Sequence, residues 1–202
     1  MVASRSTFRK RSDDRRNREF SKMKIGYVSI EGRGRTDAFL SRVAALLEAS
    51  GVRLAGTVQS NHERPDRAKC DMDLRVLPDG PLVRISEDRG SLARGCILDS
   101  GALEQTVHEV ERRVEGADLL LINKFGKREC EGKGLVPVIA LALEHSIPVL
   151  VGVNGLNLPL FLEFCDGAAD RLSDDEDQVL AWCRQAMLGS DAKQFQETTS
   201  SN

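Results

Sequence analysis

Residues 25–40, with the sequence IGYVSIEGRGRTDAFL, decide the fold of this chain. The first six form an apolar run that predicts a short buried strand, and the glycine-rich stretch after them predicts a tight loop. Between Asp37 and Ser50 the apolar residues recur at helical spacing, and Gly51 is typical of a residue that ends a helix. A strand, a glycine-rich loop and a helix in this order are the first unit of an α/β fold.

The rest of the chain alternates strand and helix patterns. A second strand is expected at 52–59 and a polar loop at 60–69. Apolar and polar residues then alternate on both sides of the turn Pro78-Asp79-Gly80, which predicts a β-hairpin. The later elements are expected to be a helix from Asp99 or Ser100 to Glu115, a strand at 118–123, a helix at 135–145, a strand at 148–153, a short helix at 158–164 and a last helix from 173 to 188. This order predicts an α/β sandwich with a mostly parallel sheet and an inserted β-hairpin.

The pattern predicts a single domain that spans residues 24–188. Residues 1–23 are polar, basic and aperiodic, so we expect a disordered leader. We expect the polar tail at 189–202 to be disordered as well. Met23 stands directly before the first strand, so the leader is either a genuine basic arm or lies upstream of the true start of translation.

Composition excludes several classes of function. The 202 residues carry a net charge of −2, but residues 1–24 hold nine basic and three acidic residues, so the remainder carries −8. The body is acidic and 4% of the whole chain is aromatic, so the folded body is unsuited to binding nucleic acid. No apolar run has the roughly 18 residues of a membrane helix. Five widely spaced cysteines without a CxxC pair favour a reducing cytoplasm over a disulfide framework, and no pattern fixes an oligomeric state.

The first candidate site is the loop after the first strand, residues 31–36 (EGRGRT). Such a loop at the start of a helix can hold an anion, because backbone N–H groups point into it and the helix dipole favours negative charge. We expect Gly32, Gly34, Arg35 and Thr36 to bind the anion. The stretch is a degenerate phosphate-binding loop, with Ser29 in place of the first glycine and Arg35 in place of the lysine. The alternative is an ordinary strand-to-helix turn.

A second candidate loop follows the central strand, at residues 123–132 (NKFGKRECEG). In nucleotide hydrolases with this order of elements the strand ends in acids that support Mg²⁺ and activate water, but here those positions are Asn123 and Lys124. We expect Asn123, Lys124 and Lys127 to bind an anion, while Glu129 and Glu131 orient the lysines or pair with arginines. The alternative is a salt-bridged surface loop.

A third region, residues 84–99, contains Arg94 and Asp99. Arg94 is expected to close over a bound anion with Asp99 in support, and the alternative is a solvated loop. Cys70 and Cys96 are expected to face the same cleft, where two thiols can bind a soft metal or form a redox pair. The alternative for both cysteines is that of small buried apolar residues.

Three segments carry a resemblance to a known family: residues 70–74 (CDMDL), 94–99 (RGCILD) and 121–127 (LINKFGK), the last with Glu131-Gly132. They resemble a bacterial family of unknown function whose genes are often found near molybdate-transport or molybdoenzyme genes. That family is similar to the small THEP-type nucleoside triphosphatases, so the resemblance implies a three-layer P-loop-NTPase-like sandwich. In those enzymes the second loop reads DEIGKME, whereas residues 123–129 here read NKFGKRE. The resemblance therefore implies that the residues that bind phosphate-like anions are retained. The two acids needed for hydrolysis are replaced by Asn123 and Lys124.

Three hypotheses of function follow. The first is an accessory protein that binds a nucleoside triphosphate with Mg²⁺, or an oxyanion such as molybdate, and serves molybdenum homeostasis or cofactor assembly with a protein partner. The second is an active nucleoside triphosphatase, with Arg35 in place of the lysine and Glu129 or Glu131 in place of the acids. The third is a metal or redox carrier that uses Cys70 and Cys96.

Overall fold

A seven-stranded sheet forms the centre of the computed structural model, which describes residues 24–63, 70–87 and 97–199. Its strands are β1 (Ile25–Val28), β2 (Leu54–Glu63), β3 (Cys70–Leu77), β4 (Leu82–Arg84), β7 (Leu119–Phe125), β8 (Val149–Val153) and β9 (Asp170–Leu172). Two short strands, β5 (Ser86–Glu87) and β6 (Ile97–Leu98), pair with each other outside it.

The strand order is β4-β3-β2-β7-β8-β1-β9. Strands β2, β7, β8, β1 and β9 are parallel, and β3 and β4 extend the sheet antiparallel from β2. This confirms the predicted α/β fold with a mostly parallel sheet. In parallel strands the carboxyl ends lie at one edge of the sheet, so the loops after β1, β7 and β8 meet there.

Six helices flank the sheet in the described residues: α1 (Arg35–Ala49), α2 (Ser100–Val114), α3 (Lys127–Cys130), α4 (Val136–Glu144), α5 (Leu158–Phe164) and α6 (Glu176–Thr199). Residues of α1 and α6 pack on one face of the sheet, and residues of α2, α4 and α5 pack on the other. The central strand β7 divides its side chains between the two faces, with Leu119 and Leu121 toward α1 and Leu120 and Ile122 toward α4. The result is the expected three-layer sandwich.

The structure differs from the sequence prediction at several boundaries. Strand β2 continues to Glu63, into the stretch expected to be a polar loop, because it pairs with β3 along the whole of β3. Helix α6 continues to Thr199, beyond Leu188 where the apolar pattern ends. The short elements β5, β6, β9 and α3 were not expected, since two to four residues are too few to show a period.

The leader at 1–23 lies outside the described residues. No helix of the described ranges is both long and apolar enough to cross a bilayer.

Candidate anion-binding site

The loop between β1 and α1 is held in shape by Thr36. This residue is 5% exposed, and its Oγ1 accepts a hydrogen bond from the Ile30 N–H (2.9 Å) and donates one to the Ile30 carbonyl (3.4 Å). Gly34 begins the helix with a φ of 72°, a left-handed conformation that glycine adopts without strain. The Thr36 side chain therefore links Ile30, directly before the loop, to the first turn of helix α1.

Four consecutive backbone amides of this loop are unpaired. The N–H groups of Glu31, Gly32, Arg33 and Gly34 have no acceptor within the described residues. They stand at the N-terminus of the 15-residue helix α1, where the helix dipole favours negative charge. We call residues 31–36 the cradle. Unpaired amides at a helix N-terminus are the geometry that binds phosphate-like anions.

The Arg35 side chain lies across the cradle. Its Nη1 donates to the Glu31 carbonyl (3.3 Å), and a Cβ on Gly32 would lie 2.7 Å from Arg35 Cδ. Position 32 therefore has no room for a side chain unless the arginine moves. Arg35 is exposed, and within the described residues its guanidinium makes this one long bond, so it is available to a bound anion.

A β-bulge at the end of β7 aims Asn123 and Lys124 in different directions. Ile122 pairs with Val151 and Phe125 with Val153, so β7 has one residue more than β8 over this stretch. Such bulges redirect side chains at the ends of strands. The bulge turns Asn123 toward β2 and leaves Lys124 near the cradle.

The Asn123 side chain is hydrogen-bonded to the backbone of β2. It is fully buried, its Oδ1 accepts from the Gln59 N–H (2.8 Å), and its Nδ2 donates to the Gln59 carbonyl (3.1 Å). The regular β2–β7 pairing ends at Thr57 and Ile122, so the Asn123 amide satisfies the next backbone groups in place of a strand. Asn123 was expected to bind an anion; in the structure it holds two strands together.

Lys124 reaches the first turn of α1. Its Nζ lies 3.8 Å from Asp37 Oδ2, and about a third of its side chain is exposed. Burial raises the pKa of Asp37, and the ammonium group of Lys124 offsets part of that rise. Asp37 is the next residue after Thr36, so Lys124 places a positive charge beside the cradle.

Glu129 closes the loop after β7. Its carboxylate is 6% exposed and accepts from the Gly126 N–H (2.9 Å) and the Leu135 N–H (3.0 Å). A Cβ on Gly134 would overlap Glu129 Oε1, so glycine is needed there. Glu129 was expected to orient lysines near an anion; its recorded partners are instead these two backbone amides.

The remaining predicted residues have various positions. Glu131 lies 3.9 Å from the exposed Lys127 and 3.8 Å from the half-buried Arg128. Asp99 caps α2 by accepting from the Ala102 N–H (3.0 Å). Arg94 and Cys96 lie outside the described residues, and only the backbone of Cys70 is described. The interpretation of Cys70 and Cys96 as a metal or redox pair therefore stays a prediction.

A cavity of about 220 Å³ is lined in part by Lys124. Its apolar lining comes from β3, α2, Ile85, Leu98 and Leu135, and its polar lining from β2, the end of β7 and the residues after β7. Three of the polar residues are cations, Lys124, Lys127 and Arg128. No residue of the cradle lines it, so the cavity and the cradle are separate features that meet at Lys124.

Residues 25–182 match the protein family described as a protein of unknown function, DUF2478. This chain belongs to the DUF2478 family. The match covers nearly all of the sheet and the helices on both faces.

Two known proteins are similar to this DUF2478 chain. One is the molybdenum import ATP-binding protein ModC 2 of Bradyrhizobium diazoefficiens, which is 31% identical over 149 residues; the alignment covers 73% of this chain and 17% of that protein. The other is the solution structure of a human cancer-related nucleoside triphosphatase, with a TM-score of 0.50 and 16% identity over 74% of this chain and 88% of that one. The second likeness shows that the two chains share a fold.

The residues at the cradle do not fit a magnesium site. The Thr36 hydroxyl is bonded to Ile30, the Asn123 amide is bonded to Gln59, and Asp37 faces the Lys124 ammonium. Magnesium prefers several oxygen ligands in octahedral geometry, and a lysine ammonium at the same place repels it. Within the described ranges, no three His, Cys, Asp or Glu side chains are grouped to hold a metal ion.

Sequence reasoning missed Asp37, Gln59 and Arg128 as members of this region. Asp37 was detectable, because it follows Thr36 directly and falls in the first turn of the predicted helix. The pairing of Gln59 with Asn123 depends on where two strands separate, and one sequence carries no signal for that.

Proposed function

We propose that this protein binds a phosphate-type oxyanion on the cradle, without a bound metal ion and without hydrolysing it. The observation that carries the proposal is the row of four unpaired amides at the N-terminus of α1 with Lys124 beside it. The amides donate to the anion, Arg35 closes over it, and Lys124 contributes a charge from the end of β7.

The energies are sufficient for useful affinity. Hydrogen bonds to a charged group contribute about 1.5–3 kcal/mol each. A dissociation constant of 1 μM corresponds to about 8 kcal/mol. Three or four such bonds, reduced by the loss of translational freedom, therefore place binding in the micromolar to millimolar range.

Lys124 supports independence from magnesium. In a nucleotide hydrolase a divalent cation neutralises the phosphates, and carboxylates hold that cation. Here the ammonium group of Lys124 forms an ion pair with Asp37, the carboxylate in the first turn of α1. A fixed positive charge neutralises an anion without a metal, but a lysine cannot act as the carboxylate base that activates water.

The relatives favour a nucleotide as the ligand. One relative is named an ATP-binding protein and the other a nucleoside triphosphatase. The first is also named for molybdenum import, which supports molybdate as the second candidate ligand and an accessory role in molybdenum metabolism with a protein partner. This chain spans less than a fifth of that relative, so the role is a proposal about the matched segment.

Hydrolysis of a nucleoside triphosphate is the second candidate function. The shared fold favours it, and Asp37 is an acid beside the cradle whose pKa is raised by burial. It predicts release of phosphate that depends on Mg²⁺ and stops in Arg35→Ala.

A ligand panel tests both functions. The full chain is titrated calorimetrically with ATP, GTP, tripolyphosphate, molybdate and sulfate, once with Mg²⁺ and once with EDTA, and phosphate release is followed in parallel. We expect at least one anion to bind in EDTA and no phosphate release. In Arg35→Ala the affinity falls at least about tenfold, because a charge-assisted bond is lost.

Arg42→Ala is the matched control for Arg35→Ala. Arg42 is an exposed arginine of the same helix, two turns beyond the cradle, and it pairs with Glu176. Its removal changes the net charge equally without touching the cradle, so affinity should change less than twofold. Equal loss in both variants, or binding only with Mg²⁺, contradicts the proposal.

A further inference from the structure

We propose that the cavity beside Lys124 is a second binding site, which takes a small organic anion with an apolar body of about one ring. The cavity measures about 220 Å³. Sites for drug-sized ligands run from about 300 to 1,000 Å³, so this one suits a smaller molecule. It lies outside the cradle, and its chemistry differs from that of the cradle.

The floor of the cavity is apolar. Leu74, Ile85 and Leu103 form a small cluster of their own, separate from the two main cores, and all three line the cavity. Met72 and Leu98 pack against this cluster and line the cavity as well. An inorganic oxyanion gains nothing from such a surface, whereas a hydrocarbon ring gains the free energy of leaving water.

The rim of the cavity is cationic. Lys124, Lys127 and Arg128 line it on one side, and the acid among the lining residues, Glu129, already accepts from two backbone amides. The Lys127 side chain is 88% exposed and lies 3.9 Å from the exposed Glu131, a weak surface ion pair that a bound anion can replace. An apolar floor under a positively charged rim matches a ligand with an apolar body and a negatively charged group.

An unpaired donor supports the same conclusion independently. Arg128 Nε is buried and has no hydrogen-bond partner in the described residues, although Arg128 Nη1 lies 3.8 Å from Glu131. Buried donors in folded proteins are normally paired, because an unpaired one loses its bond to water without replacement. Arg128 also lines the cavity, so a carboxylate or phosphate group bound there is the acceptor that this donor lacks once the side chain turns its Nε toward the ligand.

Lys124 connects the two sites. It lines the cavity and also lies 3.8 Å from Asp37 in the first turn of the helix that begins at the cradle. The two sites therefore depend on one shared cation and on different arginines, Arg35 at the cradle and Arg128 at the cavity. This division separates the second site experimentally from the proposed function.

Methyl-labelled full chain tests the cavity, with benzoate and phenyl phosphate as probes. Benzamide is the neutral control, and acetate is the control without an apolar body. We expect both aromatic anions to shift the methyl resonances of Met72, Leu74 and Leu103, with affinities at least about tenfold above those of benzamide and acetate. Equal affinity of benzamide and benzoate, shifts confined to other methyl groups, or no binding of either anion overturns the proposal.

Three alanine variants distinguish binding at the cavity from binding at the cradle. Arg128→Ala should weaken benzoate at least about tenfold and leave tripolyphosphate at the cradle unchanged, whereas Arg35→Ala should do the reverse. Lys124→Ala should weaken both. Arg112→Ala, which removes an exposed arginine of α2 paired with Glu109, is the control for lost charge. If Arg128→Ala binds benzoate as tightly as the parent, the cavity site is wrong even where the cradle binds tripolyphosphate.

Discussion

Lys124 Nζ lies 3.8 Å from Asp37 Oδ2, across the gap between the end of β7 and the first turn of α1. The lysine stands where the resemblance to nucleotide hydrolases places an acid, and its carboxylate partner is in the helix that follows the cradle. At this edge of the sheet a positive charge, Lys124, thus occupies the position where a magnesium-dependent site has a negative one. The exchange is the reason for proposing anion binding without a metal.

Asp37→Asn should make anion binding tighter at pH 7. The substitution removes a negative charge beside the cradle and releases Lys124 from its partner. We expect an increase of several-fold, up to about tenfold, in the affinity for tripolyphosphate measured by calorimetry. A weaker affinity in Asp37→Asn indicates that Asp37 holds Lys124 in place and contradicts this account of the charge.

The same substitution should change the pH dependence of stability. Burial raises the pKa of Asp37 above its ordinary 3.8, so the folded state holds this proton more tightly than the unfolded state. Stability of the parent therefore falls as the pH rises from 3.8 through the folded pKa, and the Asn variant lacks this contribution. Urea unfolding from pH 4 to 7 should show the variant gaining on the parent with rising pH; a constant difference disproves the assignment.

Asn123→Asp tests whether a hydrolase-like acid fits at this position. The new carboxylate keeps the bond from the Gln59 N–H but leaves the Gln59 carbonyl without a donor in a fully buried place. We expect a loss of about 2–4 kcal/mol in the free energy of unfolding at pH 7, and a smaller loss at pH 5, where the acid is protonated and can donate.

Asn154→Asp is the control for that substitution. Asn154 is exposed, and its Oδ1 accepts from the Asn157 N–H, a bond that aspartate also makes. Its unfolding free energy should stay within about 0.5 kcal/mol of the parent. Equal stability of Asn123→Asp and Asn154→Asp contradicts the structural role given to Asn123.

Gly134→Ala and Gly132→Ala form a matched pair that tests the Glu129 contacts. Both glycines have positive φ, 59° and 73°, so both substitutions carry a backbone cost of about 1–2 kcal/mol. A methyl group at 132 meets open space, whereas one at 134 overlaps Glu129 Oε1 and displaces the bond to the Leu135 N–H. Gly134→Ala should be about 1.5–3 kcal/mol less stable than Gly132→Ala in urea unfolding; equal losses contradict the role of Glu129.

Two of the five cysteines should be inert in the folded protein. Cys165 and Cys183 are buried, and burial raises the pKa of each thiol to about 12. In a variant with Cys70, Cys96 and Cys130 changed to serine, an aromatic disulfide reagent at pH 8 should label neither thiol until urea is added. Fast labelling of two thiols without urea contradicts the described packing of Cys165 and Cys183.

The metal or redox hypothesis has a separate test. Cys70→Ser with Cys96→Ser should lose bound zinc or copper relative to the parent if those thiols form a carrier site. Equal metal content in both proteins, measured by elemental analysis after dialysis, excludes the metal-carrier function.

The sequence predicted the layers of this fold because periods of two and 3.6 residues mark elements of five residues or more. It also located the glycine-rich loop between β1 and α1, because glycines directly after a strand mark a tight turn. It assigned Asn123 to ligand binding and Glu129 to the support of charged neighbours because a sequence shows residue types and not their partners. Both side chains are hydrogen-bonded to backbone groups: Asn123 to Gln59, and Glu129 to Gly126 and Leu135. These contacts arise from a β-bulge and from the closure of a loop. Neither feature leaves a periodic pattern in the sequence by which it could be predicted.

The most direct test of the cradle is the amide spectrum of ¹⁵N-labelled full chain during a titration with tripolyphosphate in EDTA. The account predicts saturable downfield shifts of the Gly32, Arg33 and Gly34 amide protons, because these groups donate to the anion. The amide of Gly51, at the other end of α1 and bonded to the Glu48 carbonyl, should not move. If the cradle amides stay in place while tripolyphosphate, ATP and molybdate are each raised to millimolar concentration, the central claim is wrong.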